Sequence, residues 1–472
     1  MAQSQRVKDL FKNIGLLTLG NFATKLLSFF LVPLYTSVLT TEEYGIYDII
    51  HTTIVLLVPV LTINIQESVL RFALAKDEDE SEILKTGIRF VNFSLVIILF
   101  LCIINNRIHL FETLDTYGVY FVLLFFFTAL NQVLSSFARG IDKVKDYTIA
   151  SVISSAVTIL LNVWLLAFAG KGLTGYFMAF IMGSVASCIF LSYKLRIYQY
   201  LGKEPVKKEI RRSMVAYSTP LVLNAIGWWI NNASDRYVVT WLCGLAVNGI
   251  YSVGYKIPSM VNVFQTIFNQ AWFLSAVKEF DPQDKDGFFV KTYNIYGAAM
   301  LFVCFGLNVF TRFIALILYK GNFYNAWIYV PLLNLSILFG ALSGVIGGVF
   351  SAVKDSKIFS VSTLIGAAVN VVLDIILVYK FGAIGAAIAT LVSYVVVWVV
   401  RLICAQKYIV LRLNLKRDII AYSILLCHVL WLYIKAESIL YYLISILLLV
   451  VLLFLYRSET DLIFKKIRRH KE

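Results

Sequence analysis

The feature that most constrains the fold is a series of long apolar segments along nearly the whole chain. A helix needs about 20 mainly apolar residues to cross the ~30 Å hydrocarbon core of a bilayer. No connecting loop is long enough to fold as a soluble domain. The sequence therefore predicts a polytopic membrane protein. Fourteen such segments are recognisable, at residues 13–38, 46–69, 88–104, 117–138, 147–169, 173–194, 213–242, 246–276, 288–310, 324–351, 357–380, 383–404, 418–435 and 438–456.

Composition supports this prediction and narrows the fold class. Apolar residues make up 60% of the chain and charged residues 15%, against about 45–50% and 25% in soluble domains. These values exclude a cytosolic enzyme, a disordered chain and a secreted disulfide scaffold. Helices and closed barrels alone satisfy the backbone in lipid, and the ten-residue alternation of a barrel is absent. We expect an all-α protein with about 14 transmembrane helices.

The basic residues predict the orientation. With the N-terminus inside, 33 of the 42 lysines and arginines fall in cytoplasmic segments and six in outer loops. Because cytoplasmic loops carry the excess of lysine and arginine, both termini are expected in the cytoplasm of a multi-pass inner-membrane protein. The net charge of +14 is explained by this orientation, so no nucleic-acid partner is expected. The basic loop 196–212 is expected to meet anionic membrane lipids.

Short matches at nearly constant offset indicate an internal duplication. They favour two parallel-related six-helix lobes followed by two C-terminal helices, with boundaries at 1–200, 201–410 and 411–472. A cleft between the lobes would suit a carrier. The matched pairs are 142–145 with 354–357, 172–175 with 382–385, and 44–47 with 248–251.

Polar residues inside apolar segments are the candidate functional residues, because an ionisable group at mid-membrane costs ~2.5–3.5 kcal/mol and usually faces a wet cavity or a partner. We predict that three cations and four amides line a central substrate cavity. Three carboxylates are predicted to serve in ion coupling or in structural pairing. The cations are Lys25, Arg236 and Lys256, the amides are Asn64, Gln66, Asn231 and Asn232, and the carboxylates are Glu67, Asp235 and Asp374.

Two of the carboxylates have an ordinary structural interpretation as well. Glu67 lies four residues before Arg71, the spacing of a helical ion pair at a membrane boundary. Asp374 occupies the position that Asn162 has in the first repeat, which suits a structural polar contact equally well.

Several motifs are absent from the sequence. There is no GxxxxGK[ST] loop for an ATP-driven motor, no HExxH, no nucleophile elbow and no paired metal-ligand spacing. The chain is therefore expected to be no enzyme and to need neither cofactor nor metal.

These features resemble the polysaccharide repeat-unit flippases of the Wzx type (O-antigen and capsule), within the multidrug/oligosaccharidyl-lipid/polysaccharide (MOP) exporter superfamily. The resemblance covers nearly the whole chain, although its distinctive parts are short. They are 21–33, Thr41-Glu42-Glu43-Tyr44-Gly45-Ile46-Tyr47, Ser234-Asp235-Arg236-Tyr237, Gly249-Ile250-Tyr251-Ser252-Val253-Gly254-Tyr255-Lys256, Ala271-Trp272 and 370–387.

The resemblance implies export of a polyprenyl-diphosphate-linked oligosaccharide from the inner to the outer leaflet by alternating access. It also implies that cationic side chains line the cavity. In this chain the residues at the matching positions are Lys25, Arg236 and Lys256. The second helix lacks the mid-span cation of such relatives. The expected partners are the lipid-linked oligosaccharide, anionic lipids and other polysaccharide assembly proteins. Alternatives are a lipid II flippase, a cation-coupled multidrug exporter and, outside transport, a membrane polysaccharide polymerase or ligase.

Overall fold

The computed structural model describes residues 29–75, 79–200, 202, 207–435 and 438–461. Within these residues the chain forms α-helices and contains no β-strand, which confirms the predicted all-α class. The helices are α1 Val32–Val38, α2 Thr41–Leu61, α3 Ile65–Ala75, α4 Glu80–Ile108, α5 Glu112–Gly140, α6 Val144–Asn162, α7 Gly172–Lys194, α8 Lys208–Cys243, α9 Leu245–Gly254, α10 Lys256–Lys278, α11 Phe288–Val309, α12 Thr311–Leu318, α13 Val330–Ala352, α14 Ser356–Phe381, α15 Ala383–Ala405, α16 Leu415–Lys435 and α17 Ile439–Leu455.

Ten helices of the described chain are long and apolar enough to cross a membrane. The chain is therefore a multi-pass membrane protein, while the count of fourteen spans stays a prediction. Among the other four predicted segments, 13–38 lies mostly outside the described residues and 213–242 falls within α8. The segment 246–276 is divided between α9 and α10, and 438–456 corresponds to the 17-residue α17. The ten are α2, α4, α5, α6 with its extension to Phe168, α7, α11, α13, α14, α15 and α16.

The chain divides into two compact units, the first ending at Ala233 and the second beginning at Ser234. In unit 1, α5 packs against α3, α4 and α7, and α6 packs along α7. In unit 2, α13 is buried along most of its length against α10, α11 and α15, and α14 packs along α15. The finer division at 200 and 410 stays a prediction.

Each unit contains a helical hairpin whose packing depends on a glycine. A Cβ at Gly175, in the first turn of α7, would lie 3.0 Å from the Cβ of Leu165. A Cβ at Gly385, in the first turn of α15, would overlap the backbone carbonyl of Leu377. Close approach of helix to helix thus explains why the same spaced glycines recur in the two halves of the sequence.

Two of the predicted helices are interrupted close to a proline. The segment predicted at 46–69 stops at Leu61 and resumes at Ile65, with Ile63 and Asn64 at positive φ. The segment predicted at 246–276 is interrupted at Tyr255, three residues before Pro258. Proline lacks the N–H that would bond to the carbonyl four residues earlier, so the helix is weakened at that point.

A polar cluster at the ends of the last two helices connects them. The Arg417 guanidinium pairs with Glu459 at 2.6 Å and with Asp418 at 3.0 Å. The Tyr456 hydroxyl donates to Asp418 at 2.8 Å. Tyr441 of α17 donates to the backbone of α11 at Asn308. These contacts place α16 and α17 within unit 2.

Candidate functional site

The candidate site begins with a buried carboxylate on α8. Asp235 is 3% exposed. Its Oδ2 accepts hydrogen bonds from the hydroxyls of Tyr251 at 2.8 Å and Tyr255 at 2.6 Å, and its Oδ1 accepts from the backbone N–H of Arg236 at 2.9 Å. The two tyrosines are four residues apart, so they share one side of the α9–α10 segment. That spacing lets both hydroxyls reach one carboxylate.

A second carboxylate of the same unit has no such partners. Asp374 on α14 is 0% exposed, and among the described residues neither of its oxygens accepts a hydrogen bond. It lies close enough to Asp235 and Tyr251 to interact with them electrostatically. A buried carboxylate without a partner is strongly unfavourable unless a proton or a cation neutralises it.

Neutral oxygen atoms surround the two carboxylates. Asn370 lies one helical turn before Asp374, and its Oδ1 accepts from the Ser234 hydroxyl at 3.5 Å. The Asn370 amide in turn donates to the hydroxyl of Thr390 on α15 at 3.5 Å. All three side chains are buried. Carboxylate, amide and hydroxyl oxygens together are a donor set for a hard cation. In the described parts of the chain, no three His, Cys, Asp or Glu side chains are grouped so that they could hold a metal ion.

Two of the three predicted cations lie next to this cluster. The guanidinium of Arg236 packs over the ring of Tyr255, 5.5 Å from its centroid. Lys256 follows Tyr255 and begins α10, and its side chain is half-buried. The third cation, Lys25, lies outside the described residues. Unit 2 therefore combines two cationic side chains with two buried carboxylates.

The predicted amides on α8 bond within their own helix. Asn231 donates to the carbonyl of Gly227 at 3.1 Å, and Asn232 donates to the carbonyl of Trp228 at 2.7 Å. Asn232 is nevertheless exposed. These amides precede the boundary between the units, and their role in sugar binding stays a prediction.

The remaining predicted residues lie at the break between α2 and α3 in unit 1. The Gln66 amide donates to the side-chain oxygen of Asn64, which is buried. Glu67 is exposed, and within the described chain it forms no ion pair with Arg71. Glu67 thus belongs to unit 1, whereas Asp235 and Asp374 belong to unit 2.

Five members of the unit 2 cluster are absent from the predicted site residues. They are neutral and common in membrane helices, so none of them stands out individually: Ser234, Tyr251, Tyr255, Asn370 and Thr390. A usable signal was present in the spacing. Asn370 lies four residues before Asp374, and the two tyrosines lie four apart beside Lys256, which is the separation of neighbours on one helix face.

Comparison with known families assigns the chain to one of them. The family model described as "Polysaccharide biosynthesis protein" matches residues 10–273, more than half of the chain. This chain belongs to that family. The assignment confirms the resemblance inferred from the sequence at the level of the family.

Two curated relatives are distant. The chain is 22% identical over 304 residues to the "Probable low-salt glycan biosynthesis flippase Agl15" of Haloferax volcanii, covering 64% of this chain and 63% of the relative. It is 20% identical over 230 residues to an uncharacterized membrane protein of Methanocaldococcus jannaschii, covering 47% and 45%. The matches thus span less than two thirds of these relatives.

Solved structures show the fold. The structure of "Lipid II flippase MurJ, inward closed conformation" matches with a TM-score of 0.68 at 15% identity, covering 95% of this chain and 98% of that one. An inward-facing multidrug resistance MATE family transporter of the MOP superfamily matches with a TM-score of 0.62 at 15% identity, covering 83% and 94%. This family member therefore shares the fold of MurJ and MATE transporters.

Proposed function

We propose that this protein is a flippase that moves a polyprenyl-diphosphate-linked oligosaccharide repeat unit from the inner to the outer leaflet of the cytoplasmic membrane by alternating access. Both termini would then be cytoplasmic, as the distribution of lysine and arginine indicates. The headgroup of such a substrate carries a diphosphate and many hydroxyls, which cannot cross hydrocarbon unaided. Its polyprenyl tail can remain in the lipid.

The observation that carries the proposal is the pairing of cations with buried carboxylates in unit 2. The guanidinium of Arg236 packs over the ring of Tyr255, and Lys256 is the next residue along the chain. A diphosphate bound near this ring would meet two positive groups. A pocket for cationic drugs would need its carboxylates available to the ligand, whereas both oxygens of Asp374 are buried. The cluster therefore favours an anionic substrate over a cationic one.

Asp235 and Asp374 would supply ion coupling in this mechanism. Binding of a proton or monovalent cation at Asp374 would neutralise that carboxylate, while Asp235 keeps its three hydrogen-bond donors. Asn370 and Thr390 would complete the oxygen cluster. Release of the ion restores uncompensated negative charge in a low dielectric, which favours a different packing of the helices. The gradient of that ion would then drive the change of state.

The test is transport by the full chain in proteoliposomes. A fluorescent polyprenyl-diphosphate oligosaccharide is incorporated, and outward exposure of its sugar is followed with a membrane-impermeant lectin or glycosidase. Arg236→Gln and Lys256→Gln are expected to reduce the rate at least tenfold, with Lys171→Gln in the loop before α7 as the matched control. The proposal is wrong if neither cation variant differs from the control.

The same vesicles separate the alternatives. Lipid II translocated faster than the oligosaccharide lipid would assign the protein as a lipid II flippase. Ion-dependent release of a cationic dye, with no translocation of either lipid, would assign it as a multidrug exporter. Polymer formation from the oligosaccharide lipid would indicate a polymerase or ligase.

A further inference from the structure

A buried arginine in unit 2 has no part in the site described above. Arg401 lies four residues before the end of α15 and is 5% exposed. Sequence reasoning counted it among the cytoplasmic charges that set orientation. The structure instead places it inside the unit, where its Nε donates to the Ser362 hydroxyl, its Nη1 to the Ser343 carbonyl and its Nη2 to the Thr363 hydroxyl, each at 3.0 Å.

All of these hydrogen-bond partners are neutral. One face of the guanidinium lies 4.1 Å from the ring centroid of Phe359, which also carries no charge. Within the described residues, no carboxylate lies at ion-pair distance from Arg401. Its positive charge is therefore held in place by dipoles and a ring but is not compensated.

A cavity of about 340 Å³ lies beside the residue whose ring stacks on this guanidinium. Its apolar walls are formed by Phe273, Phe350 and Phe359. Gly347 also lines it, and a Cβ at that position would lie 3.4 Å from Nη1 of Arg401. Arg401 itself does not line the cavity, and its guanidinium lies behind Phe359 and Gly347, two residues that do.

The rim of the cavity is polar and basic. Lys354 and the hydroxyl residues Ser351 and Ser360 line it. The neighbouring carboxylate of Asp355 accepts hydrogen bonds from the Tyr408 hydroxyl at 2.6 Å and from the backbone N–H of Ile358 at 3.3 Å. Because the Asp355 carboxylate is hydrogen-bonded to these partners, Lys354 is the cationic group of the rim.

We propose that this cavity binds the headgroup phosphate of an anionic phospholipid from the cytoplasmic leaflet, with Lys354 and Arg401 as the cationic groups. The loop between α13 and α14 lies on the predicted cytoplasmic side. Basic pockets between transmembrane helices at that depth suit anionic lipid headgroups. The volume falls within the ~300–1,000 Å³ range of small-molecule sites, and the phenylalanine walls suit a glycerol backbone and the start of an acyl chain. The proposal does not depend on which substrate is transported.

The test is native mass spectrometry of the full chain titrated with phosphatidylglycerol or phosphatidylcholine of the same acyl composition. The wild-type chain is expected to retain one phosphatidylglycerol more tightly than any phosphatidylcholine. Lys354→Gln is expected to weaken that binding about fivefold, the effect of about 1 kcal/mol for one lysine near the surface. Lys357→Gln, at an exposed lysine in the first turn of α14 that does not line the cavity, is the matched control.

Arg401→Gln is expected to abolish the preference for phosphatidylglycerol, and Lys354→Gln keeps the test decisive if that variant fails to fold. Equal affinity for the two lipids, or equal weakening by the Lys354 and Lys357 variants, would overturn the proposal. Displacement of the bound lipid by millimolar inorganic phosphate would show a free-phosphate site instead. Displacement by equimolar polyprenyl diphosphate would show an entry site for a transported lipid, which also overturns it.

Discussion

At the scale of single residues, the buried carboxylate of Asp374 yields the sharpest prediction. In Asp374→Asn the neutral amide no longer needs a proton or cation, so the chain is expected to fold at least as stably as wild type in detergent. Transport by this variant is expected to lose its dependence on an imposed ion or pH gradient. The measurement is the translocation rate in proteoliposomes with and without that gradient.

The repeat supplies the control for this experiment. Asn162 occupies the corresponding position of unit 1, is buried, and donates to the carbonyl of Thr158 at 2.9 Å. Asn162→Ser alters a buried polar contact without altering charge, so its transport is expected to keep the wild-type response to the gradient. An unchanged gradient response in Asp374→Asn would remove Asp374 from the coupling mechanism.

A second prediction at this scale concerns the loop before α14. The hydrogen bond from Tyr408, followed by the backbone N–H of Ile358, holds the pKa of Asp355 below its ordinary value. A lowered pKa in the folded state means that the carboxylate stabilises the fold above its unfolded pKa of about 3.9. This contribution is lost as the pH falls through the folded pKa.

Asp355→Asn is therefore expected to lower the melting temperature at pH 7, with the difference from wild type shrinking below about pH 4. Thermal unfolding in detergent between pH 7 and pH 3 measures this. A difference that stays constant across the whole range would contradict the assignment of the stabilisation to the Asp355 carboxylate.

Residue chemistry also decided which side chains could be predicted. Asp235 and Asp374 were recognisable because a carboxylate in an apolar segment is rare and costly. Arg401 was missed because a cation near a helix end has the same appearance in sequence as an orienting charge. Its burial depends on Ser343, Ser362 and Thr363 from two other helices, and no local pattern reports such a contact.

At the scale of helices, the spaced glycines yield a prediction about packing. Gly385→Ala would make a methyl group overlap the backbone carbonyl of Leu377, and a backbone atom cannot move aside as a flexible side chain can. Overpacking of this kind typically costs about 1–3 kcal/mol. The expected result is a lower melting temperature, measured by thermal unfolding in detergent.

Gly306→Ala within α11 is the matched control, since no atom lies within 4 Å of a Cβ built there. Alanine exceeds glycine in helix propensity by about 1 kcal/mol, so this variant is expected to be neutral or slightly stabilised. Equal destabilisation by the two substitutions would contradict the role assigned to Gly385.

The positions of the helices could be predicted, because the length of an apolar segment is a local property of the sequence. The points at which helices are interrupted were harder to predict. The break at Tyr255 lies within the turn that Pro258 weakens. Pro59 and Pro220 instead lie inside the continuous helices α2 and α8, and Pro331 lies in the first turn of α13. A proline in the first helical turn loses no hydrogen bond. In the interior, neighbouring groups decide whether the helix continues.

At the scale of the whole molecule, the last two helices fall within unit 2, while the boundary at 411 stays a prediction. Removal of 411–472 would strip α11 of its contacts with α16 and α17. The truncated chain is expected to show reduced expression and a lower melting temperature than the full chain. Fluorescence-detected size-exclusion chromatography with heating measures both.

The matching point variant is Arg417→Met, which leaves Asp418 and Glu459 without their cation. Removing one partner of a buried ion pair typically costs about 3–5 kcal/mol, so this variant is expected to reproduce part of the loss. Full wild-type stability in both variants would show that the C-terminal helices are independent of unit 2.

If Asp374 is the coupling site, the presence of Asn162 at the matching position of unit 1 limits how much work the protein can perform. Asp235 accepts three hydrogen bonds and Asp374 accepts none, so loading of Asp374 alone would exchange a single positive charge in each transport cycle. A membrane potential of 100 mV supplies about 2.3 kcal/mol per charge, and about 1.4 kcal/mol corresponds to a tenfold ratio. The potential alone would thus sustain at most about a 40- to 50-fold accumulation of a neutral cargo. An anionic headgroup leaving a negative interior would gain further energy from its own charge, so the same single ion would suffice for a steeper gradient.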